Sequence, residues 1–223
     1  MKNIVDDYFS FYKIFRIKYS DILSKNNVGI LSNFLENKDH IIEFHKRFVQ
    51  PNSPKIVLCG INPGRFGAGR TGIPFIDFDS LSEMLPNIKN HESEKSAKFF
   101  FSVVKAFGEE EFYKNFHVTN ISWYGFYQLD KMKNVNYDDK RINTEIAIFL
   151  IDKFVEEMNL IQPDIIIPLS KNVYYELESL KEMGKIQAKI GPRLNHPGSP
   201  IVSKNKNLWK DIYVQTLTNC LCK

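Results

Sequence analysis

The sequence predicts an α/β protein of three layers, α/β/α, around a central four-stranded parallel sheet. Three observations predict it. Short, mostly apolar runs with β-branched residues recur at 55–61, 116–122, 164–170 and, most weakly, 185–191. Longer segments with three- and four-residue apolar spacing separate them. No Gly/Ser linker, internal repeat or low-complexity tract divides the 223 residues, a length that suits one full α/β core. Strands that alternate with helices make a parallel sheet covered on both faces.

Each element follows from its local pattern. In the first fifty residues Val5, Phe9, Tyr12, Phe15 and Tyr19 recur at helical spacing, and Ile41, Phe44 and Phe48 do so again. The breaker cluster "QPNSPK" (50–55) ends this helical part. "KIVLCGI" (55–61) reads as a buried parallel strand. A helix around 93–107 leads to the strand "FHVTNIS" (116–122), and one over roughly 138–159 leads to "DIIIPLS" (164–170). A helix over 171–183 leads to the weakest strand, "KIQAKIG" (185–191). "NLWKDIYVQTLTNCL" is amphipathic and closes the chain as a helix. Residues 1–223 read as a single domain, with 1–50 its helical N-terminal part.

Composition narrows the function classes. Apolar residues make up 43%, enough for a proper core. A formal charge of +4 permits a polyanionic partner without demanding one. Cys59, Cys220 and Cys222 form no disulfide framework and suggest a reducing compartment, and no nearby ligands complete a zinc site. His40, His45, His91 and His117 lack partners at metal-ligand spacing. "MKNIVDDYFSFYK" mixes acids into its apolar residues, unlike a signal peptide, and no run approaches eighteen uncharged apolar residues. The expectation is a soluble cytoplasmic monomer with no metal and no cofactor.

The most informative stretch is "GINPGRFGAGRTGIPF" (60–75). Gly67, Gly69 and Gly72 spell the dinucleotide fingerprint G-x-G-x-x-G, but they start six residues beyond Ile61 instead of directly after the strand. Pro74 biases Ile73 away from helix, and no acidic strand end follows about twenty residues on. Gly64 to Thr71 falls one substitution short of a P-loop. There Arg70 replaces the slim Lys, and no apolar strand ends in the Asp that would share a magnesium ion.

Ligands of open α/β sheets bind outside the carboxyl ends of the strands. Four segments therefore converge, bringing Asn62, Asn120, Ser170 and His196 together. Two amides, a hydroxyl and an imidazole suit a polar planar ligand better than a metal. Pro63 fixes a bend, Gly64 lets backbone approach a ligand, and Phe75 can lay its ring over a flat heterocycle. From these residues alone, a Gly-rich turn with a buried Phe is the favoured reading.

"GINPGRFGAGRTGIPF", Asn120 in "TNIS" and "NHPGSP" after the fourth strand together resemble the uracil-DNA glycosylase superfamily. They are most similar to its single-strand-selective monofunctional family, and Arg65 with Gly67-Ala68-Gly69 is similar to a bacterial subgroup. The resemblance spans residues 55 to 200 in motif order. It implies that Asn62 orients the attacking water and that Phe75 stacks on a flipped base. It also implies that the backbone at Ile61 and Gly64 lies against that base, that Asn120 reads its polar edge, and that His196 donates to O2 of the departing anion. Ile201 would be a wedge into the vacated stack, with Lys204 and Lys206 on phosphates.

Three departures from the family pattern stand out. Gly198 is an extra residue in the His-Pro motif, Ser122-Trp123-Tyr124 replaces a Cys-Pro-Leu at the expected pocket wall, and Arg65 replaces a proline. Asp77, two residues past Phe75, is a candidate to assist the water. Lys131, Lys133, Lys140 and Arg141 form a second basic stretch. The expected function is hydrolysis of the N-glycosidic bond of uracil or a related damaged base, in single- or double-stranded DNA. A non-catalytic nucleic-acid binder and a nucleotide-hydrolysing enzyme are the alternatives.

Overall fold

A computed structural model describes residues 4–49 and 55–222. The breaker cluster therefore lies, except for Lys55, outside the described residues. The chain runs α1 (Ile4–Lys25), β1 (Val28–Ile30), a short 3₁₀ turn and α2 (Lys38–Phe48) into β2 (Ile56–Gly60). After the glycine loop come α3 (Ala68–Thr71), α4 (Phe78–Met84), α5 (Lys95–Phe107), α6 (Glu109–Asn115) and β3 (Phe116–Asn120). A small hairpin, β4 (Phe126–Gln128) and β5 (Asn134–Val135), precedes α7 (Thr144–Ile161), β6 (Ile165–Pro168) and α8 (Lys171–Glu182). β7 (Lys189–Ile190), α9 (Pro200–Lys204) and α10 (Lys206–Leu221) complete it.

The four expected strands form one parallel sheet in the order β3-β2-β6-β7, flanked by helices. β2 is central and buried along its whole length, as its uninterrupted apolar run requires. Its register sets Gly60 opposite Asn120 and Cys59 opposite Pro168, so β2 and β3 finish level and β6 one residue earlier. β7 is only two residues long: after the turn at 183–184 that leaves α8, 185–188 is irregular backbone rather than strand.

Three features depart from the sequence expectation. β1, β4 and β5 form a second, antiparallel sheet. The segment from 93 to β3 is two helices, parted at Gly108, whose φ of 82° is left-handed. α7 begins at Thr144, where Asn143 caps it by accepting from the Ile146 N–H at 2.9 Å.

α1 is held to the body by aromatic packing. Phe11 stacks on Tyr124 (centroids 5.6 Å, 20°) and on Phe149 (5.3 Å, 16°), while the Tyr124 hydroxyl donates to the Tyr8 carbonyl. Trp123 donates its indole N–H to Glu157 at 2.7 Å. Trp123 and Tyr124 are therefore core residues gripping α1, and Ser122 is buried with them, its hydroxyl bonded to the Tyr124 carbonyl at 2.7 Å. That overturns their assignment to the pocket wall. No helix among the described residues is long and apolar enough to cross a membrane.

Candidate functional site

At the carboxyl ends of β2 and β3 lies a cavity of about 170 Å³. It brings together Ile61, Asn62, Gly64, Phe75, Asn120 and His196, the six residues singled out from the motifs for base binding and catalysis. Ser170 is not among its lining residues: it caps α8 by accepting from the Val173 N–H at 3.2 Å. A much wider cleft, about 1290 Å³, opens near Lys55, Asp164 and Lys189 at the amino ends of the strands. That edge lacks the motif residues and is the wrong end of a parallel sheet for a ligand.

β2 and β3 aim the site. The Ile121 N–H donates to Gly60 O and the Ser122 N–H to Ile61 O, both at 3.0 Å, extending the pairing beyond the strand ends. Asn120 is thereby held, almost fully buried, beside Gly60. A methyl group at Gly60 would sit 2.7 Å from the Phe75 ring and collide with the Asn120 side-chain oxygen. Glycine is what lets those two groups meet.

Phe75 has φ of 58°, a left-handed conformation that costs an aromatic residue about 1–3 kcal/mol. Its ring stacks on Phe100 (centroids 4.9 Å, 28°) and lies 5.9 Å from the His196 ring. The preceding Thr71 is buried, and its hydroxyl donates to the Ile76 carbonyl at 2.7 Å, closing the loop around this bend.

His196 accepts the backbone N–H of Gly198 on Nδ1 at 3.0 Å. Burial pushes its pKa below the usual histidine value, so the ring is neutral at pH 7. A neutral ring accepting on Nδ1 carries its proton on Nε2, as a donor. The segment is anchored from behind by the Tyr213 hydroxyl, which donates to Asn195 O. Gly198 thus supplies the contact that orients His196.

Asn62 is more constrained than expected. Its Oδ1 accepts the Tyr137 N–H at 3.3 Å, and its Nδ2 donates to Pro63 O at 3.2 Å. An amide oxygen accepts two hydrogen bonds, so Asn62 can still hold a water, but an amide cannot take that water's proton.

The glycine loop resolves its own ambiguity. A methyl group on Gly64 would lie 3.1 Å from Glu94 Oε1, and one on Gly67 would collide with Glu94 Oε2. The space these glycines leave is filled by a carboxylate, which repels phosphate. Arg70, at the P-loop lysine position, pairs with Glu92, and Thr71 is buried as described. A phosphate cradle is excluded by charge and by geometry.

Asp77 does not face the cavity. It is fully buried and caps α4, accepting the Ser80 N–H at 2.9 Å and the Glu94 N–H at 2.6 Å. Its role as a water activator is corrected to that of a seat for Glu94. Ile201 stands on α9 and is 51% exposed, with Lys204 and Lys206 exposed beside it. Arg141 is engaged by Asp139 through Nε at 2.8 Å and a second nitrogen at 2.9 Å, so the second basic stretch has one fewer free cation.

Sequence reasoning missed Glu94, Ser96, Asn134 and Asn136, which complete the cavity wall. "HESEKSAK" reads as the polar lead into the helix expected around 93–107, and nothing in its spacing marks Glu94. Behind β3, Glu157 is buried and accepts from Thr119 (2.9 Å), Trp123 (2.7 Å) and the His117 ring (2.7 Å apart).

The fold is α/β with a polar cavity, floored by an aromatic ring, at the carboxyl ends of its parallel sheet, and comparison with known proteins names its class. The profile of the uracil DNA glycosylase superfamily matches residues 47–216, so the chain belongs to that superfamily, whose members are DNA-binding DNA glycosylases. Among solved structures it is similar to wild-type SMUG2 of Pedobacter heparinus. The identity is 25% and the TM-score 0.75, covering 88% of this chain and 90% of that one. No curated protein sequence matches the chain.

Proposed function

We propose that this protein is a monofunctional glycosylase, folded as one domain, that hydrolyses the N-glycosidic bond of uracil or a related damaged base in DNA and so initiates base-excision repair. One observation carries the reading. The cavity at the strand ends combines an aromatic plate (Phe75), an amide on a buried strand end (Asn120) and a neutral imidazole whose Nε2–H is free to donate (His196).

Each group matches a demand of the reaction. A base taken out of the stack needs a surface to stack on, worth about 1–3 kcal/mol on an aromatic ring. A pyrimidine's O4/N3–H edge needs a group that both donates and accepts, which an amide does. As the bond to C1′ breaks, its electron pair collects on the base, and a donor aimed at O2 meets that charge. One such donor contributes about 3 kcal/mol. Asn62 holds the water, and the backbone at Ile61 and Gly64 closes the pocket. Ile201 fills the vacated stack, while Lys204 and Lys206 meet phosphates.

The test is direct. Single- and double-stranded oligonucleotides carrying uracil, hydroxymethyluracil, hypoxanthine or xanthine are incubated with the protein, then cleaved at abasic sites with alkali. Scission at the damaged base is expected, and its absence on every substrate overturns the reading.

A further inference from the structure

We infer that Glu94 is the catalytic base of this site, taking a proton from the water that attacks C1′. The inference rests on the glycosylase reading above and adds to it a residue that the motifs do not contain.

Of the residues lining the cavity, only Glu94 and His196 titrate. His196 is excluded as the base, because Gly198 occupies Nδ1 and Nε2 already carries a proton. Asn62, Asn120, Asn134 and Asn136 are amides and cannot accept one at neutral pH. Only the Glu94 carboxylate remains.

Its placement has the marks of a built position. Its own N–H is fixed to the buried Asp77 carboxylate at 2.6 Å, which sets where the side chain starts. Ser96 lines the cavity with it, and Gly64 and Gly67 leave the space the carboxylate occupies. Over Gly64 it converges with the Asn134 amide: a methyl there would meet Glu94 Oε1 at 3.1 Å and Asn134 Nδ2 at 3.7 Å. Burial first, and then the neighbouring Asp77 charge, raise the Glu94 pKa above its ordinary value, which makes the carboxylate a stronger base.

The step balances. The C1′–N bond breaks and leaves its electron pair on the base, which His196 stabilises through Nε2–H. The water oxygen, held by Asn62, forms the new C1′–O bond. One water proton passes to the Glu94 carboxylate, which afterwards releases it to solvent. A carboxylate here also opposes the positive charge that builds on the sugar.

The experiment measures single-turnover excision of uracil from an oligonucleotide by wild type, Glu94→Gln and Glu94→Asp, from pH 4.5 to 9. Melting temperature and binding to an oligonucleotide carrying a tetrahydrofuran abasic analogue are measured alongside. Glu94→Gln is expected to lose about 10²–10⁴-fold in rate while still binding the abasic analogue. The acid limb of the wild-type profile is expected to vanish in that variant, and Glu94→Asp is expected to recover part of the rate with an acid limb of its own. A Glu94→Gln rate within threefold of wild type with an unchanged profile overturns the inference and leaves the glycosylase reading intact. So does a wild-type profile with no acid limb above pH 4.5, which decides the matter even where the Gln variant does not fold. A wild type inactive on every damaged base overturns the glycosylase reading and the inference with it.

Discussion

The backbone N–H of Gly198 donates to Nδ1 of His196 at 3.0 Å, and this one bond settles which ring nitrogen carries the proton. The extra glycine in the His-Pro motif therefore sits in the bond that orients the imidazole. His196→Ala is expected to slow single-turnover excision about 10²–10³-fold. Gly198→Pro removes the donor and is expected to slow the reaction more than Gly198→Ala, which keeps it. Nitrogen chemical shifts of His196 report the protonated Nε2 in wild type and a mixture of tautomers in Gly198→Pro.

Gly60→Ala tests how closely the pocket is packed. The added carbon would crowd the Phe75 ring and the Asn120 amide together. Overpacking of this kind costs about 1–3 kcal/mol, read as a lower urea midpoint. Because the crowded groups are the plate and the amide, the loss of base binding is expected to exceed that of Gly29→Ala, which crowds Tyr127 in the second sheet.

Glu157 fixes β3 from behind the pocket. Glu157→Ala strands the Thr119 hydroxyl, the Trp123 indole and the His117 ring without their acceptor. The expected loss of unfolding free energy is about 3–5 kcal/mol by chemical denaturation, against about 1 kcal/mol for Thr119→Ala.

His45 gives the fold an acid sensitivity. Burial beside Phe44, and then the charge of His117, push its pKa from 6.5 down to about 4. The unfolded chain takes up a proton near pH 6.5 that the folded His45 refuses until about pH 4. Stability therefore falls as pH drops through that window and is flat above it for this group. Melting temperatures between pH 8 and 4.5 are expected to fall less steeply in His45→Gln than in wild type.

Lys204 and Lys206 are tested by salt. If each meets one phosphate, Lys204→Ala and Lys206→Ala each reduce the slope of log affinity against log salt by about 0.7 on single strands. Ile201→Ala is expected to reduce excision from duplex more than from single strands, because only the duplex needs its gap filled.

The long, locally determined features were legible in the sequence. β2 and β6 are apolar runs with clear breaks, and β3 alternates Phe116 and Val118 with polar residues, patterns a buried strand displays locally. β1, β4 and β5 are two or three residues each and exist only by pairing with one another, so no local period announces them. In the site, Asn62, Phe75, Asn120 and His196 sit at strand ends or in short loops marked by glycine and proline. Glu94 reaches the cavity because Asp77 grips its backbone and two distant glycines make room, and a linear reading does not display such relations. The same contacts corrected Asp77, whose buried oxygens serve two N–H groups instead of a water.

The left-handed backbone at Phe75 has a consequence for timing. The ring is packed against Phe100 by the fold, so on the proposed reading the stacking surface would already stand in place before any nucleic acid arrives. Conformational strain is borne once, when the chain folds, and is absent from every later encounter. A base entering the proposed pocket would meet a surface already formed, and planarity would be the first thing the site measures.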